Sequence, residues 1–394
     1  MNPHFKEGTN VMKTIYMFLV RICSLMYAGQ KKSQVAYLMS FSNNQDFILK
    51  LADRISPLPL YVFYEASGQA DLDNLKNHPA IKLIPFNNGL ALFLKVIPIL
   101  MRSKLIVVDN YFPVLGAIIK TKQMRITQLW HANGAIKAFG FSDPSTERRG
   151  KAAQLRFQRV YDSFDDIIVG SRKMADAFQI NYRLDGHQTR LLGYPRSDKF
   201  KNKDWIAQAR EKFYRYYPAL RGKQLILYTP TYRKGISFAF APGFEKLKLP
   251  QNAVFILRLH PHLQQLEKAW EQKVPFVTSI RSDITTDELL TVADTLITDY
   301  SSILFDYTLL DNAHQVGLFA FDQSQFEKTV GLQRDFSEDF DKLLIKDVPE
   351  LSEFLAQPAP QQMVMSQLNE RWNTFNDGHA TKRTLDFLMK RSGN

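Results

Sequence analysis

The chain has 394 residues, 45% apolar and 23% charged, which excludes wholesale disorder. At about 100–200 residues per domain it holds two domains, and its one cysteine excludes an intrachain disulfide framework. The formal net charge is +12 and its excess is local: 24 Lys and Arg stand against 10 Asp and Glu between Lys120 and Lys234, so that window carries +14 and the rest −2. Such an imbalance points to an anionic partner, whether nucleic acid, a phosphate-rich ligand or an anionic membrane.

In chain order, the first feature is the apolar stretch Val11–Ala28, interrupted by Lys13 and Arg21. A membrane-spanning helix needs about 20 predominantly apolar residues, and no small-residue cleavage site follows this stretch. It reads as a helix lying on a membrane or on the protein itself, and Cys23 within it as a packed thiol. Short β-rich runs then recur at 35–39, 60–64, 104–109, 125–130, 166–170, 224–228, 254–259 and 295–299. Nearly continuous apolar strands alternating with helical segments indicate parallel sheets covered on both faces. The spacing predicts an α/β fold of two Rossmann-like domains facing a central cleft. The first covers residues 1–195 and the second 196–375, with Gly193–Lys223 as linker plus helix. A last segment, 376–394, is expected to pack back across the cleft as a helix. No zinc pattern, Walker loop, GxGxxG or internal repeat is present.

Ligands of such sheets collect at the carboxyl ends of the strands, so the informative residues are those just after each run. After 125–130 comes Trp130-His131-Ala-Asn133-Gly134-Ala-Ile-Lys137. His131 suits a general base, because its unperturbed pKa lies near neutrality. Asn133 and Gly134 suit a tight turn, and Lys137 suits a phosphate; the alternative is a strand-end histidine that caps a loop. Gly193-Tyr-Pro-Arg196 is an irregular strand exit in which Arg196 suits a phosphate or carboxylate, or is a plain turn. Thr229, Thr231, Arg233 and Lys234 follow the 224–228 strand as hydroxyls and charges fit for a phosphate, or as a solvated turn. His260 ends the next strand as a ligand contact, with His262 on the surface; a pair split by Pro261 does not suit one metal. Asp299-Tyr-Ser301-Ser302 leads from strand to helix, where Asp299 or Ser301 would cap and the serine hydroxyls and helix amides would cradle a diphosphate. Near the end, Asp377 can cap a final helix whose first turn carries Lys382 and Arg383, cations that want an anion nearby.

In this order, these motifs resemble the CDP-glycerol glycerophosphotransferase family of wall teichoic acid synthesis. The resemblance covers about residues 100–390 and rests on Leu129–Gly140, Gly193–Asp198, Tyr228–Arg233, Leu257–Pro261, Leu296–Ile303 with Phe305–Tyr307, and Asp377–Arg383. It implies a glycosyltransferase-B-like fold and transfer of glycerol phosphate from CDP-glycerol with release of CMP. It further implies that His131 is the base and that His260, Ser301, Ser302 and Arg383 surround the donor diphosphate. The Trp-His-Ala-Asn-Gly spelling and the short chain look like the primase subgroup. That subgroup acts on a disaccharide carried by undecaprenyl diphosphate, at the cytoplasmic face of the membrane.

The first domain would then face acceptor and membrane, and the second would bind CDP-glycerol. The charge window is expected to form one membrane-facing patch, and nucleic acid drops out as a partner. No motif requires a cofactor, and a bound Mg²⁺ stays compatible with the site. The competing readings are a polymerase of glycerol or ribitol phosphate, a nucleotide-sugar glycosyltransferase of the same fold, and a non-catalytic basic module.

Overall fold

The computed structural model describes residues 3–65, 72–86, 88–233, 238–357 and 361–391, with the side chains of 3–10, 42 and 262 excepted. Lys234 and the His262 side chain therefore lie outside the described residues. The chain divides into two compact units. The first holds the residues through His131, then Gly140–Arg196 and the tail from His379; the second holds Ala132–Phe139 and Ser197–Gly378. The boundary near residue 196 is thus complicated by two exchanges. The eight residues after His131, read above with the first domain, group with the second, and the C-terminal helix groups with the first.

The first unit is built on seven parallel strands: β1 (Gln34–Met39), β2 (Leu60–Tyr64), β3 (Ile81–Pro85), β4 (Ser103–Val108), β5 (Arg125–Gln128), β6 (Asp166–Val169) and β7 (Thr189–Leu191). Their spatial order is β3-β2-β1-β4-β5-β6-β7. The second carries β8 (Gln224–Tyr228), β9 (Ala253–Leu257), β10 (Val277–Ser279), β11 (Thr295–Thr298), β12 (Gln315–Phe319) and β13 (Leu344–Ile345), in the order β10-β9-β8-β11-β12-β13. All printed pairings are parallel, as in β1 with β4 and β8 with β11. β1, β4 and β12 are buried along almost their whole length, which is why they read as apolar runs without alternation. Strand order reverses beside β1 in one sheet and beside β8 in the other, and ligands of open parallel sheets bind at that switch point.

Helices cover both sheets through apolar stripes at helical spacing. The helix Gln45–Ile55 buries Phe47, Ile48, Leu51, Ala52 and Ile55. These join Val35, Tyr37 and Met39 of β1 in a core completed by Leu385, Leu388 and Met389 of the helix Ala380–Arg391. The tail is therefore an integral part of the first unit's core. In the second unit Tyr228, Phe244, Phe255 and Phe319 form an aromatic core, with Phe240 stacked on Phe244 at 4.0 Å.

The cations of the charge window are divided between the units and many are neutralised where they stand. In the first unit Arg125 and Arg190 grip the buried Asp166 at 2.5 and 2.8 Å, and Lys120 pairs with Asp165 at 2.7 Å. In the second, Lys199 pairs with Asp287, Arg210 with Asp311 at 2.6 Å and Lys212 with Glu288 at 2.9 Å. The last three acids lie beyond the window in sequence, so a windowed sum could not count them.

Candidate active site

In the first unit the strand exits nearest the switch point are those of β1, β4 and β5. β5 ends at Gln128, whose side chain turns back to accept from the Trp130 amide at 3.2 Å and donates to the Asn110 carbonyl at 3.3 Å. Trp130 has φ 68°, a left-handed conformation that a bulky residue adopts only under constraint. That bend directs the chain into His131, on which two rings pack: Phe41 at 4.3 Å and Trp130 at 4.2 Å between centroids. His131 Nδ1 lies 3.0 Å from the Asp109 carbonyl oxygen. A carbonyl only accepts, so in the neutral ring Nδ1 carries the proton and Nε2 carries the lone pair. The imidazole is thus held in the tautomer that a proton acceptor needs.

Asp109 also braces the loop that bears Phe41. Its carboxylate accepts from the Ser40 amide at 2.9 Å and the Phe41 amide at 3.2 Å. It is fully buried, and burial pushes the carboxyl up to about 8 despite those two amides, with Glu65 adding in the same direction. The unfolded chain releases this proton near the ordinary carboxylate value, about 3.9. Asp109 therefore favours folding at low pH, and the contribution is lost as pH rises through about 8. We expect Asp109→Asn to shrink the fall in Tm between about pH 5 and pH 9, measured by thermal unfolding. An equal fall in both proteins contradicts a protonated Asp109.

Immediately after His131 the chain enters the second unit and is fixed there by side-chain amides. Asn133 Nδ2 donates to Asn373 Oδ1 at 2.9 Å, and Asn376 Nδ2 donates to Asn373 Oδ1 at 2.7 Å and to Asn133 Oδ1. Asn373 Nδ2 in turn donates to the Phe305 carbonyl at 2.9 Å and to Asn369 Oδ1 at 2.8 Å. Gly134 lies so close to Phe305 that a Cβ would stand 2.3 Å from its ring. Glycine is required here for close approach and not for a turn φ. Lys137 is exposed, bridges by its backbone to Leu332, and is within electrostatic range of Asp299 and Arg233.

The remaining donor-side candidates cluster around the exits of β8, β9 and β11. Asp299 Oδ1 accepts from the Thr231 amide at 2.8 Å and the Tyr300 amide at 2.6 Å, which ties the β8 and β11 exits together. Arg233 forks onto Asp322 with two bonds of 2.9 Å and reaches Asp299 at 3.1 Å. Its charge is therefore shared with two carboxylates, and it lines the same pocket as Thr231 and His260. Asp299 does not cap the following helix, Ile303–Tyr307, which is only five residues long. Ser301 supplies a long contact to the Ile303 amide at 3.4 Å, and Ser301 and Ser302 are half-buried.

His260 is exposed, stacks on Tyr232 at 4.9 Å, and sits on a loop whose Leu259 amide is held by Glu267 at 2.7 Å. One pocket is lined by Thr231, Tyr232, Arg233, His260 and Asp322, with Phe238, Phe240 and Phe321 as its apolar wall. Arg383 belongs to the first unit, where its Nε donates to the Leu192 carbonyl at 2.9 Å. Arg196 is half-buried at the end of the first unit. Among the described residues, no three His, Cys, Asp or Glu side chains are arranged to hold a metal ion.

Sequence reasoning passed over Asp109, Phe41, Asn373 and Asp322. Asp109 and Asp322 both follow strands, and the strand-end rule would have reached Asp109. A family model described as CDP-glycerol:poly(glycerophosphate) glycerophosphotransferase matches residues 77–390. The chain belongs to this family. It is 29% identical over 391 residues to a teichoic acid glycerol-phosphate primase of Bacillus spizizenii, covering 96% of this chain and 97% of the relative. A teichoic acid ribitol-phosphate primase of the same organism is 28% identical over 301 residues, covering 73% and 75%. The solved wall teichoic acid polymerase TagF superposes with a TM-score of 0.68 at 19% identity, covering 99% of this chain and 97% of that one. The expected α/β fold of two Rossmann-like, glycosyltransferase-B-like domains is thus the fold of this chain, and its family is one of transferases.

Proposed function

We propose that the chain transfers glycerol phosphate from CDP-glycerol to a lipid-linked disaccharide at the inner face of the membrane, releasing CMP, as a primase. The observation that carries the chemistry is the bond between His131 Nδ1 and the Asp109 carbonyl, which places the neutral ring's lone pair on Nε2. Nε2 takes the proton of the acceptor hydroxyl, and that oxygen forms a bond to the phosphorus bearing glycerol. The bond from that phosphorus to the CMP oxygen breaks in line, and CMP departs with the electron pair. Such transfer depends on positioning and charge neutralisation more than on covalent catalysis. Ser301, Ser302, His260 and Lys137 are the groups offered to the donor's phosphates, and the aromatic pocket beside Tyr232 suits the cytidine end.

Arg383 stays a candidate phosphate contact, with Trp130, Asn133, Gly134 and Arg196 shaping the acceptor loop. The primase reading is favoured over the polymerase by the match to a glycerol-phosphate primase along nearly the whole of both chains. A donor panel tests it: CDP-glycerol is expected to give acceptor-dependent CMP, while CDP-ribitol and UDP-sugars give at least tenfold less. Preference for CDP-ribitol assigns the chain to ribitol transfer, and preference for a UDP-sugar retires phosphoglycerol transfer.

A further inference from the structure

The first unit holds a polar cluster that takes no part in the chemistry described above. An unbroken line of ring contacts leads to it from the base. Trp130, which packs on His131, meets Tyr182 edge to face at 6.4 Å, and Tyr182 stacks on Tyr161 at 3.8 Å. Tyr161 meets Tyr111 at 5.9 Å, and Tyr111 meets Phe157 at 5.3 Å. Arg149 ends the line, with its guanidinium carbon 5.2 Å above the Phe157 ring. Every member of the line belongs to the first unit. The turn that orients the base also sets Tyr111. The Asp109 carbonyl holds His131, and two residues later the Tyr111 amide donates to Asn110 Oδ1 at 2.8 Å.

Tyr161 is 5% exposed and Tyr111 is half-buried, yet neither hydroxyl makes a hydrogen bond among the described residues. A phenol this deep in a protein normally has a partner. Burial pushes Tyr111 up to about 12 although Arg156 and Arg149 act in the opposite direction, so its hydroxyl keeps its proton and can donate. Arg149 is exposed and makes no ion pair among the described residues. Residues 148–161 hold five cations and no acid. Asp143 acts on Tyr161, but one of its carboxylate oxygens is engaged by the Ser145 amide at 2.7 Å. Two unmade hydroxyl bonds beside a guanidinium fork match the oxygens of a phosphate or diphosphate. The acceptor proposed above carries its anionic group two sugars away from the reacting hydroxyl, and the cluster likewise stands apart from the base.

We infer that Arg149, Tyr111 and Tyr161 hold the diphosphate of the lipid-linked acceptor while its sugar hydroxyl faces His131. This deepens the proposed function and rests on that reading for the identity of the ligand. Farnesyl diphosphate, a short soluble lipid diphosphate, tests the site without turnover, with CMP present to fill the donor pocket. By calorimetry, wild type is expected to bind it at least tenfold more tightly than inorganic phosphate. Arg149→Gln/Tyr111→Phe keeps the tyrosine's ring and changes one exposed side chain, so its Tm should match wild type. Its affinity for farnesyl diphosphate is expected to fall about a hundredfold, since two bonds to a charged ligand are lost. In turnover the same variant should raise the KM for the acceptor by a similar factor, with kcat and the KM for CDP-glycerol within about twofold. Failure of wild type to bind farnesyl diphosphate, equal affinity for inorganic phosphate, or unchanged binding by the folded variant overturns the inference. So does a fall in kcat at an unchanged acceptor KM. Wild type that binds farnesyl diphosphate as expected but releases no CMP upholds the site and contradicts the proposed reaction.

Discussion

Replacing His131 with alanine is expected to lower turnover about 10²- to 10⁴-fold, the usual worth of a positioned general base. CDP-glycerol affinity, read by calorimetry, should stay within about twofold, because the base acts on the acceptor hydroxyl and the donor is assigned to other groups. His131 also packs on Phe41 and Trp130, so a loss in the alanine variant could reflect a disturbed loop. His131→Phe separates the two causes. It keeps a flat ring for both neighbours and removes Nε2, and it is expected to be as inactive as His131→Ala while melting close to wild type. A folded His131→Phe protein with near-normal turnover contradicts the assignment of the base.

Asn373→Ala is expected to be the most damaging change outside the chemistry. Asn373, Asn133 and Asn376 are each at most 5% exposed, and every polar atom of the Asn373 side chain is engaged. Truncation strands Asn133 Nδ2 without its acceptor and opens a void beneath the loop. Each orphaned buried group costs about 1–3 kcal/mol, so a total of roughly 3 kcal/mol is expected in thermal or urea unfolding. The network is one unit, so Asn133→Ala and Asn373→Ala should combine to less than the sum of their separate costs. Full additivity would show that the two amides do not depend on each other. Turnover should fall along with stability, since the loop pinned by Asn133 and by the Gly134–Phe305 contact begins one residue after His131.

Much of the fold was legible because the central strands are buried on both faces and lack polar interruptions. The strands missed have identifiable causes. β7 and β10 have three residues each and β13 two, too short for any periodic signal, and β3 is interrupted by the exposed Lys82 and ends in Pro85. β12 contains Gly317, which lowers its strand character, yet glycine is needed there: a Cβ would stand 2.5 Å from Ile345. Missing β12 had a consequence at the site. Asp322 lies just after that strand, and its pairing with Arg233 is not visible in the sequence without it.

The strand-end rule led to His131, His260 and Asp299, since it depends only on where strands stop. It could not reach Asn373 or Asn376, whose partners lie about 240 residues away in sequence. The N-terminal stretch is ambiguous in sequence because apolar residues occur all round its helix. The buried and exposed faces are both apolar, and only the three-dimensional contacts distinguish them.

The central claim is that this chain adds a single glycerol phosphate, with His131 as the base. The most direct test is to follow purified enzyme, CDP-glycerol and the undecaprenyl-diphosphate-linked disaccharide by mass spectrometry of the acceptor alongside CMP release. The account predicts one CMP per acceptor and a product heavier by one glycerol phosphate, abolished in His131→Phe. No CMP release, a ladder of repeated additions, or full activity in His131→Phe would contradict it.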